Sequence, residues 1–373
     1  MSLPAAKSDI GTPSLPHLPS PHPSNLKPQD WAKLSLATPI TVKGHIQTRH
    51  TLSTNTWSTP TLTTNPLIPI NGLSPALNYG QQCYEGLKAF RTPSNSITIF
   101  RPELHWSRLC RSAAALSLPA PSLPLFLSCL RQAVAANAEF VPPAASSAYL
   151  YIRPVLFGSS ANLALAPPEE STLAVFVHPA MPYHGSEALD ALVLEDFDRA
   201  APRGMGGYKV GGNYAPVWRH AKKAREMGYG ITLHLDSAGR GVVEEFSTSG
   251  FLGHRKEGER DVLVVPRASG AIVSTTSETM VRLAEREGWV VEREEVPFGT
   301  LEGLDEVVAV GTAAAAVPIR SVTRLSTEEK YVFENSDAKE GKLLGLARWM
   351  TQIQRGTAKD EEGWCWEVTG YDE

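Results

Sequence analysis

The sequence GGYKVGGNYAP fills residues 206–216 and sets one lysine, Lys209, among glycines and between Tyr208 and Tyr214. Glycine lets a backbone bend sharply and lets a bound group approach it closely. A lysine in a tight, partly desolvated loop can form a Schiff base with an aldehyde, and pyridoxal phosphate is the commonest aldehyde cofactor that exploits this chemistry. An ordinary glycine turn is the alternative explanation, so the stretch needs support from the rest of the chain.

The composition is that of a folded, soluble protein of about two domains. The 373 residues include 42% hydrophobic and 20% charged residues, close to the average for globular proteins. The net charge is −4 and the basic residues are scattered, which argues against a nucleic-acid partner. The longest apolar run, residues 307–319, is shorter than the roughly 20 residues that span a bilayer, so no membrane segment is expected.

The first 30 residues form a proline-rich tail that we expect to be disordered. The tail has no apolar core like that of a secretory signal, and no arginine precedes Arg49, so the arginine-rich pattern of a mitochondrial leader is missing. The cytoplasm is therefore the expected compartment, with mitochondria as the alternative. Four widely spaced cysteines, Cys83, Cys110, Cys129 and Cys365, indicate reduced thiols and no metal site.

Short apolar runs alternate with helical patterns along the chain, which predicts a mixed α/β (α+β) fold. We expect a small N-terminal α/β domain over residues 31–188 and a larger C-terminal domain over residues 204–373 that carries Lys209. Between them, residues 189–203 are predicted to link the two domains, in a stretch that holds one strand and then irregular chain.

The segment after Lys209 has its own pattern of elements. A helix is predicted to begin at Pro216 and to end at Gly228, because proline suits a first helical turn and glycine a helix end. Two β-rich runs, Ile231–Leu235 and Val242–Phe246, flank a turn and predict a hairpin. Neighbouring residues on a strand point to opposite faces, so we expect one of Glu244 and Glu245 to face solvent and the other the interior.

A pyridoxal cofactor would need a carboxylate at its ring nitrogen, a phenol or amide at its ring oxygen and a cup of donors around its phosphate. Tyr214 follows Lys209 closely enough to share its pocket, and Glu244 or Glu245 could supply the carboxylate. Candidate phosphate ligands are Thr275 and Thr276 ahead of a helix and Thr312 among small residues. Each feature alone has an ordinary explanation, namely a helix cap, a solvated glutamate pair or a tightly packed joint. Their occurrence in one domain favours a shared site.

Five stretches resemble the branched-chain amino-acid aminotransferases of the fold-type-IV pyridoxal-phosphate class, and the resemblance runs from about residue 30 to the C-terminal region. The stretches are GQQCYEGLKAFR (80–91), IFRPELHWSRLCRSAAALSLP (99–119), AYLYIRPVLFGSSANLALAP (148–167), GGYKVGGNYAP (206–216) and EEFSTSGF (244–251). The resemblance implies the two-domain architecture of that class, with the cofactor pyridoxal 5′-phosphate between the domains.

The resemblance also implies roles for individual residues. Lys209 would form the Schiff base and carry the proton during catalysis, Glu245 would pair with the ring nitrogen, and Tyr214 would contact the ring oxygen. The implied phosphate ligands are Arg101, Thr275, Thr276 and Thr312, and the implied substrate-binding residues are Tyr79, Tyr84, Tyr151, Arg153, Tyr183 and Ala313.

The implied reaction is a ping-pong transamination of L-leucine, L-isoleucine or L-valine with 2-oxoglutarate and L-glutamate as the shared pair. Tyr79 and residues 162–167 resemble parts that family members insert into a neighbouring subunit's site, which implies a homodimer. Residues 247–250 read STSG where many relatives have GTMN, and this departure puts the substrate in doubt. The alternatives are an aminotransferase of specialised metabolism, an (R)-amine or D-amino-acid transaminase, aminodeoxychorismate lyase, or a scaffold protein without activity.

Overall fold

The computed structural model describes residues 28–182, 187–312, 315–334 and 341–370. The predicted disordered tail lies outside the described residues as far as residue 27, and Pro28–Lys33 form a 3-10 helix. No helix in these described ranges is both long enough and apolar enough to cross a membrane.

The first half of the chain alternates strands with three helices in the described ranges. In chain order the elements are β1 (His45–Thr51), β2 (Thr56–Trp57), β3 (Thr61–Thr63), α1 (Pro75–Tyr79), β4 (Gln82–Tyr84), β5 (Leu87–Arg91), β6 (Ile97–Phe100), α2 (Pro102–Ala115), α3 (Leu123–Ala136), β7 (Tyr149–Gly158) and β8 (Glu170–Ala180).

The second half continues with β9 (Leu189–Val193), α4 (Trp218–Glu226), β10 (Ile231–Leu235), β11 (Val242–Phe246), β12 (Gly250–Glu257), β13 (Arg260–Pro266), α5 (Thr275–Arg286), β14 (Val290–Glu294), β15 (Val296–Pro297), β16 (Glu306–Gly311), β17 (Ala315–Arg324), β18 (Glu329–Val332), α6 (Lys342–Gln354) and β19 (Cys365–Glu367).

The first sheet has the strand order β19-β6-β5-β7-β8-β1-β2, with β3 paired to β1 and β4 to β7. Helices α2 and α3 cover one face of this sheet. Side chains of α3 such as Phe126 and Leu130 are fully buried in one cluster with Leu150 and Ile152 of β7. Burying each such side chain stabilises the fold by about 1.5–3 kcal/mol. The last strand, β19, returns from the far end of the chain to pair with β6.

The second sheet has the order β14-β13-β12-β16-β17-β9-β10-β11-β15, with β18 paired to β17. It is mixed, because β9 runs parallel to both β10 and β17. Helices α5 and α6 pack against it through a buried cluster that includes Met280, Leu283 and Met350. The predicted mixed α/β fold is confirmed, and so is the hairpin of β10 and β11.

Residues 189–203 were expected to hold one strand and then an irregular link between two domains, and the strand is Leu189–Val193, which belongs to the second sheet. The division into domains at these boundaries stays a prediction. The helix expected from Pro216 starts instead at Trp218, because Ala215–Val217 form a 3-10 turn, and the chain leaves it at Gly228 with a φ of 92°.

The loop that contains Lys209 lies between β9 and α4 and contacts the first sheet. The carbonyl oxygen of Lys209 accepts a hydrogen bond from the backbone N–H of Tyr84 at 3.1 Å, and Val210 forms an isolated bridge with Cys83. Lys209 also donates its own backbone N–H to Ser112 Oγ at 2.9 Å. The lysine is therefore fixed against β4 and α2 of the first half while its chain continues into the second.

Candidate active site

A cavity of about 270 Å³ opens beside Lys209, between the two sheets. Its lining includes Tyr84, Gly86, Arg108, Tyr151 and Arg153 from the first half of the chain and Arg199, Lys209, Tyr214, residues 245–250, Ile272, Ser274, Val310, Gly311 and Thr312 from the second. Ligand sites commonly lie in clefts of this kind between sheets or domains. Seven of the residues predicted from the sequence line this one cavity, namely Tyr84, Tyr151, Arg153, Lys209, Tyr214, Glu245 and Thr312.

The amine of Lys209 points toward two phenol rings. Its Nζ donates to Tyr214 Oη at 2.9 Å and lies 4.9 Å from the ring centroids of both Tyr214 and Tyr84. Burial beside Tyr214 raises the pKa of Tyr84 well above its usual range, so this phenol stays neutral. The amine is thus held at the cavity wall by a phenol oxygen and two aromatic faces.

The glycines around Lys209 are explained by close packing. A Cβ on Gly206 would lie 2.2 Å from Ala200 Cβ and 2.5 Å from Gly270 O, and a Cβ on Gly211 would lie 2.1 Å from Gln82 Nε2. Real Cβ atoms do not approach other atoms so closely. These two glycines let neighbouring chain segments fit against the loop and so fix the direction of Lys209.

Glu245 is the carboxylate of the cavity. It is 5% exposed, and its carboxylate forms an ion pair with Arg199 and accepts a long hydrogen bond of 3.4 Å from the N–H of Ile272. Burial raises the pKa of Glu245 to about 7, and Arg199 opposes that shift. This acid can therefore gain or lose a proton near neutral pH.

The expectation that one of the two neighbouring glutamates faces solvent is wrong. Glu244 is also buried, with 7% of its surface exposed, because it lies under the loop at Gly270. Its Oε2 has no hydrogen-bond partner among the described residues, and burial raises the pKa of the carboxyl group. Both carboxylates lie beside the loop of residues 270–272.

Arg101 is not brought to the cavity, in contrast to its predicted place among the phosphate ligands. It precedes α2 with a left-handed φ of 49°, and its Nη1 donates to Thr279 Oγ1 at 2.7 Å. Its guanidinium carbon lies 4.8 Å from the ring centroid of Trp364. The conformation at the start of α2 turns this side chain toward α5 and the last strand, away from Lys209.

Arg108, two turns further along α2, occupies the cavity instead. It forms a two-point ion pair with the fully buried Glu85, at 2.6 Å from Nε to Oε1 and 2.8 Å from Nη2 to Oε2, and its Nη1 donates to Val273 O at 3.0 Å. Burial alone would raise the pKa of Glu85, but Arg108 and His105 hold it well below its usual range. The signal that could have identified Arg108 is its helical spacing with His105 and Ser112, which gives α2 a polar stripe on a buried face.

The three predicted threonines approach one another. Thr275 and Thr276 lie in the first turn of α5, where backbone N–H groups are free to bind an anion, and both are buried. Together with Thr312 they border a small space of about 20 Å³, and Thr312 also lines the main cavity. Thr275 Oγ1 lies 3.4 Å from Nε2 of His105.

Arg153 and Tyr151 form the opposite wall. Arg153 Nη2 donates to Tyr151 Oη at 2.8 Å, and the guanidinium carbon lies 4.8 Å from the ring centroid of Tyr84 and 5.1 Å from that of Tyr151. Its Nε is buried without a hydrogen-bond partner in the described part of the chain. This wall is aromatic and offers one unused cationic donor. Tyr183 and Ala313, also predicted to bind substrate, lie outside the described residues.

Sequence reasoning missed the hydroxyl groups of the cavity. Ser247, Thr248 and Ser249 line it, and Ser247 Oγ is bonded to Thr232 Oγ1 and lies 2.6 Å from His234 Nε2. Burial lowers the pKa of His234 to about 3, so this imidazole is neutral at physiological pH. Arg199 was missed as well, since nothing in the residues around it distinguishes it from a surface arginine.

Tyr79 does not line the cavity. It is 51% exposed, and its Oη donates to Leu163 O at 2.7 Å. Leu163 and Leu165 are exposed at 51% and 88%, so the predicted inserting segment of residues 162–167 stands on the surface with Tyr79. The patch of Tyr79, Leu163 and Leu165 is apolar and open in the single chain.

Comparison with known proteins places the chain among aminotransferases. The family described as amino-transferase class IV matches residues 82–322. The transaminase htyB of Aspergillus rugulosus is 46% identical over 351 residues, which cover 91% of this chain and 92% of that protein. The aminotransferase poxL of Penicillium oxalicum is 47% identical over 337 residues, which cover 90% of this chain and 92% of that protein.

Solved structures of branched-chain aminotransferases have a similar fold. The enzyme of Thermoproteus uzoniensis, solved with norvaline, superposes with a TM-score of 0.70 at 26% identity and covers 83% of this chain and 97% of its own. The enzyme of Escherichia coli gives the same TM-score of 0.70 and the same 26% identity, again over 83% of this chain and 97% of its own.

Proposed function

The chain belongs to the class IV aminotransferase family, and we propose that it exchanges the amino group of an L-amino acid with an apolar side chain against 2-oxoglutarate, with pyridoxal 5′-phosphate as its cofactor. The observation that carries the proposal is the convergence of Lys209, Glu245 and Arg108 on one cavity. An amine, a carboxylate and a guanidinium in one enclosed space match the aldehyde, the ring nitrogen and the phosphate of that cofactor.

The residues present fit the cofactor. The carboxyl group of Glu245, with a pKa raised to about 7, is held inside the cavity by Arg199 rather than by solvent, so it can share a proton with a ring nitrogen. Arg108, Thr275, Thr276 and Thr312 are the proposed phosphate ligands, and Arg108 takes the place predicted for Arg101. When bound, the cofactor supplies a ring that takes up the electron pair left at the α-carbon.

The chain's own part in the chemistry is to hold and move a proton. Lys209 Nζ, which donates to Tyr214 Oη at 2.9 Å, is the proposed group that would take the α-proton and give it up at the carbon that the cofactor's aldehyde supplies. Tyr214 orients the amine, and Tyr84 shields it from water with its ring. A positioned proton carrier of this kind contributes roughly 10²- to 10⁴-fold to the rate.

The walls of the cavity support a branched-chain substrate. Tyr84 and Tyr151 offer apolar surface to a side chain such as that of leucine, isoleucine or valine. The unused Nε of Arg153 suits the γ-carboxylate of glutamate and 2-oxoglutarate, which must enter the same pocket. This combination matches an enzyme that alternates between an apolar and an acidic amino acid.

A second candidate is an aminotransferase of specialised metabolism that acts on a side chain carrying hydroxyl or other polar groups. The specific observation in its favour is the row of hydroxyls from Ser247, Thr248 and Ser249 along the cavity. The relatives that are 46% and 47% identical carry names that give the reaction without a substrate, whereas the branched-chain enzymes of known structure are 26% identical.

We further propose that two copies associate through the patch of Tyr79, Leu163 and Leu165. An exposed cluster of large apolar side chains is a common mark of an interface, and Leu165 is 88% exposed. Leu165→Asp should give a monomer in analytical ultracentrifugation and should lower activity. A wild-type monomer that is fully active would contradict the proposal.

The decisive experiment compares wild-type protein with Lys209→Ala and with Lys222→Ala, which changes a lysine whose side chain is 76% exposed. Wild type and the Lys222 variant should gain visible absorbance with pyridoxal phosphate and turn over, and Lys209→Ala should do neither. A Lys209→Ala protein with normal transamination would overturn the assignment.

The substrate is decided by a panel of 2-oxo acids with L-glutamate as donor. Highest kcat/KM with the 2-oxo acids of leucine, isoleucine and valine supports the branched-chain proposal, and preference for a hydroxylated 2-oxo acid supports the second candidate. L-Leucine, D-alanine and (R)-1-phenylethylamine, each with 2-oxoglutarate, separate these from the D-amino-acid and (R)-amine alternatives.

A further inference from the structure

Lys88 is a buried lysine without a counter-charge. It lies on β5 with 6% of its surface exposed, and its Nζ is 4.1 Å from the ring centroid of Tyr149. No carboxylate or hydrogen-bond acceptor of the described residues pairs with it, and Arg355 adds a like charge nearby. Burial lowers the pKa of Lys88 to about 7, with Arg355 acting in the same direction, and an anion bound beside the amine would restore its charged form.

The space in front of Lys88 is bordered by the proposed phosphate ligands. Lys88, Thr275, Thr276 and Thr312 surround the small space of about 20 Å³, together with His105 and Gln354. A space of this size holds about one water molecule. Lys88 therefore borders the same small space as three hydroxyl-bearing residues and the first turn of α5.

The other basic groups near these threonines carry no spare positive charge toward them. Arg108 is neutralised by its two-point ion pair with Glu85. Arg101 is directed toward Thr279 and Trp364. Burial lowers the pKa of His105, which leaves its imidazole neutral. A phosphate bound here would carry close to two negative charges, and Lys88 is a basic group on the border of this space that no carboxylate of the described residues pairs with.

We propose that Lys88 binds the phosphate group of the cofactor, directly or through one water, and supplies the net positive charge that the Arg108–Glu85 pair does not. The inference rests on the proposed cofactor. It assigns a binding role to a residue to which the sequence analysis gave none.

The test measures cofactor affinity rather than turnover. Apoenzyme of wild type, Lys88→Met, Lys88→Arg and the surface control Lys222→Met is titrated with pyridoxal 5′-phosphate and, separately, with pyridoxal, which has no phosphate. Binding is followed by visible absorbance and by equilibrium dialysis. We expect Lys88→Met to weaken pyridoxal phosphate binding by about 10- to 100-fold, the range of a hydrogen bond to a charged group.

The phosphate-free ligand makes the role specific. Lys88→Met should bind pyridoxal as wild type does, and Lys88→Arg, which keeps a cation, should retain most of the affinity for pyridoxal phosphate. Equal affinity of Lys88→Met and wild type for pyridoxal phosphate would overturn the inference, and so would an equal loss for both ligands. If Lys88→Met does not fold, Lys88→Gln and Lys88→Arg are compared instead. The test is then the competition between inorganic phosphate and pyridoxal phosphate for each of these two variants. Wild-type protein that binds neither ligand would contradict the proposed function instead.

Discussion

Arg199 and Glu245 form an ion pair inside the cavity, with only 3% and 7% of their side-chain surfaces exposed. The same Nη2 of Arg199 donates to Gly270 O at 2.5 Å and to Gly206 O at 3.3 Å. Arg199 therefore ties the carboxylate to the loop that carries Lys209. The proposed acid and amine of the site are positioned by one guanidinium.

Arg199→Gln should move the acid limb of the pH–rate profile to higher pH. Glu245 has a pKa raised to about 7 by burial, and Arg199 is the main group that opposes the rise, so its removal raises the pKa further. A raised carboxyl pKa means that the ionised form is present only above that pKa. We expect a loss of about 10²-fold in kcat near neutral pH, partly recovered at alkaline pH.

The measurement is kcat and kcat/KM as a function of pH for wild type, Arg199→Gln and Arg199→Lys. The lysine variant keeps a positive charge and should shift the limb less. An unchanged acid limb in Arg199→Gln would show that Glu245 does not control the profile.

Local patterns in the sequence were enough to predict much of the fold. The hairpin of β10 and β11 follows from two β-rich runs around a turn, and the end of the helix after Lys209 follows from Gly228. Such features depend on neighbours in sequence, whose preferences act within a few residues. The placement of β19 in the first sheet depends on a contact between distant parts of the chain, and no local pattern signals it.

The site residues also divide into those that a local pattern predicts and those whose place depends on contacts between distant parts of the chain. Lys209, Tyr214 and Glu245 lie on one short stretch and one hairpin, and the cavity includes all three. Arg101 and Arg108 are two turns apart around the start of α2, and the choice between them depends on the left-handed φ of 49° at Arg101 and on Glu85, which is fixed by β4. A burial pattern along α2 would have favoured Arg108, whereas the motif FRP drew attention to Arg101.

Glu85→Gln should lower the free energy of unfolding near neutral pH and make that free energy depend less on pH in acid. The pKa of Glu85 lies below its ordinary value of 4.5, so the stability that its ionised form contributes is present above that value and is lost as pH falls below it. Breaking this buried pair leaves Arg108 without its partner, at a cost of about 3–5 kcal/mol. Denaturant unfolding at several pH values measures both effects.

Glu226→Gln is the matched control, because the side chain of Glu226 is 63% exposed and its ion pair with Lys222 lies on the surface. Its free energy of unfolding should change by less than about 1 kcal/mol. A Glu85→Gln protein with the stability and acid dependence of wild type would contradict the assigned role of the pair.

Arg153→Met should separate acidic from apolar substrates. The variant removes the unused Nε donor and keeps an apolar side chain next to Tyr84 and Tyr151. We expect KM for 2-oxoglutarate to rise by about 10- to 100-fold, the range for losing a hydrogen bond to a charged group. KM for the 2-oxo acid of leucine should change by less than about threefold. Equal changes in KM for both substrates would assign Arg153 a structural role only. The variant Tyr151→Phe measures how much of the effect depends on the hydrogen bond from Arg153 to Tyr151.

Gly86→Ala should impair substrate binding without disturbing the cofactor. A Cβ at this position would lie 2.0 Å from Tyr151 Oη and 2.8 Å from Tyr151 Cζ. The clash involves the far end of one side chain, so the ring can move aside and the fold can survive, at a cost of about 1–3 kcal/mol. Since Tyr151 accepts the 2.8 Å hydrogen bond from Arg153, its displacement also releases that guanidinium.

The expected result is a higher KM for 2-oxoglutarate with the visible absorbance of the bound cofactor retained, because Lys209 and Glu245 do not contact Tyr151 through any hydrogen bond in the described ranges. Gly299→Ala is the control, since a Cβ there meets no atom within 4 Å. If Gly86→Ala leaves both KM values as in wild type, the wall of Tyr151 and Arg153 does not bind substrate. If it removes the cofactor absorbance as well, the ring of Tyr151 supports the cofactor rather than the substrate.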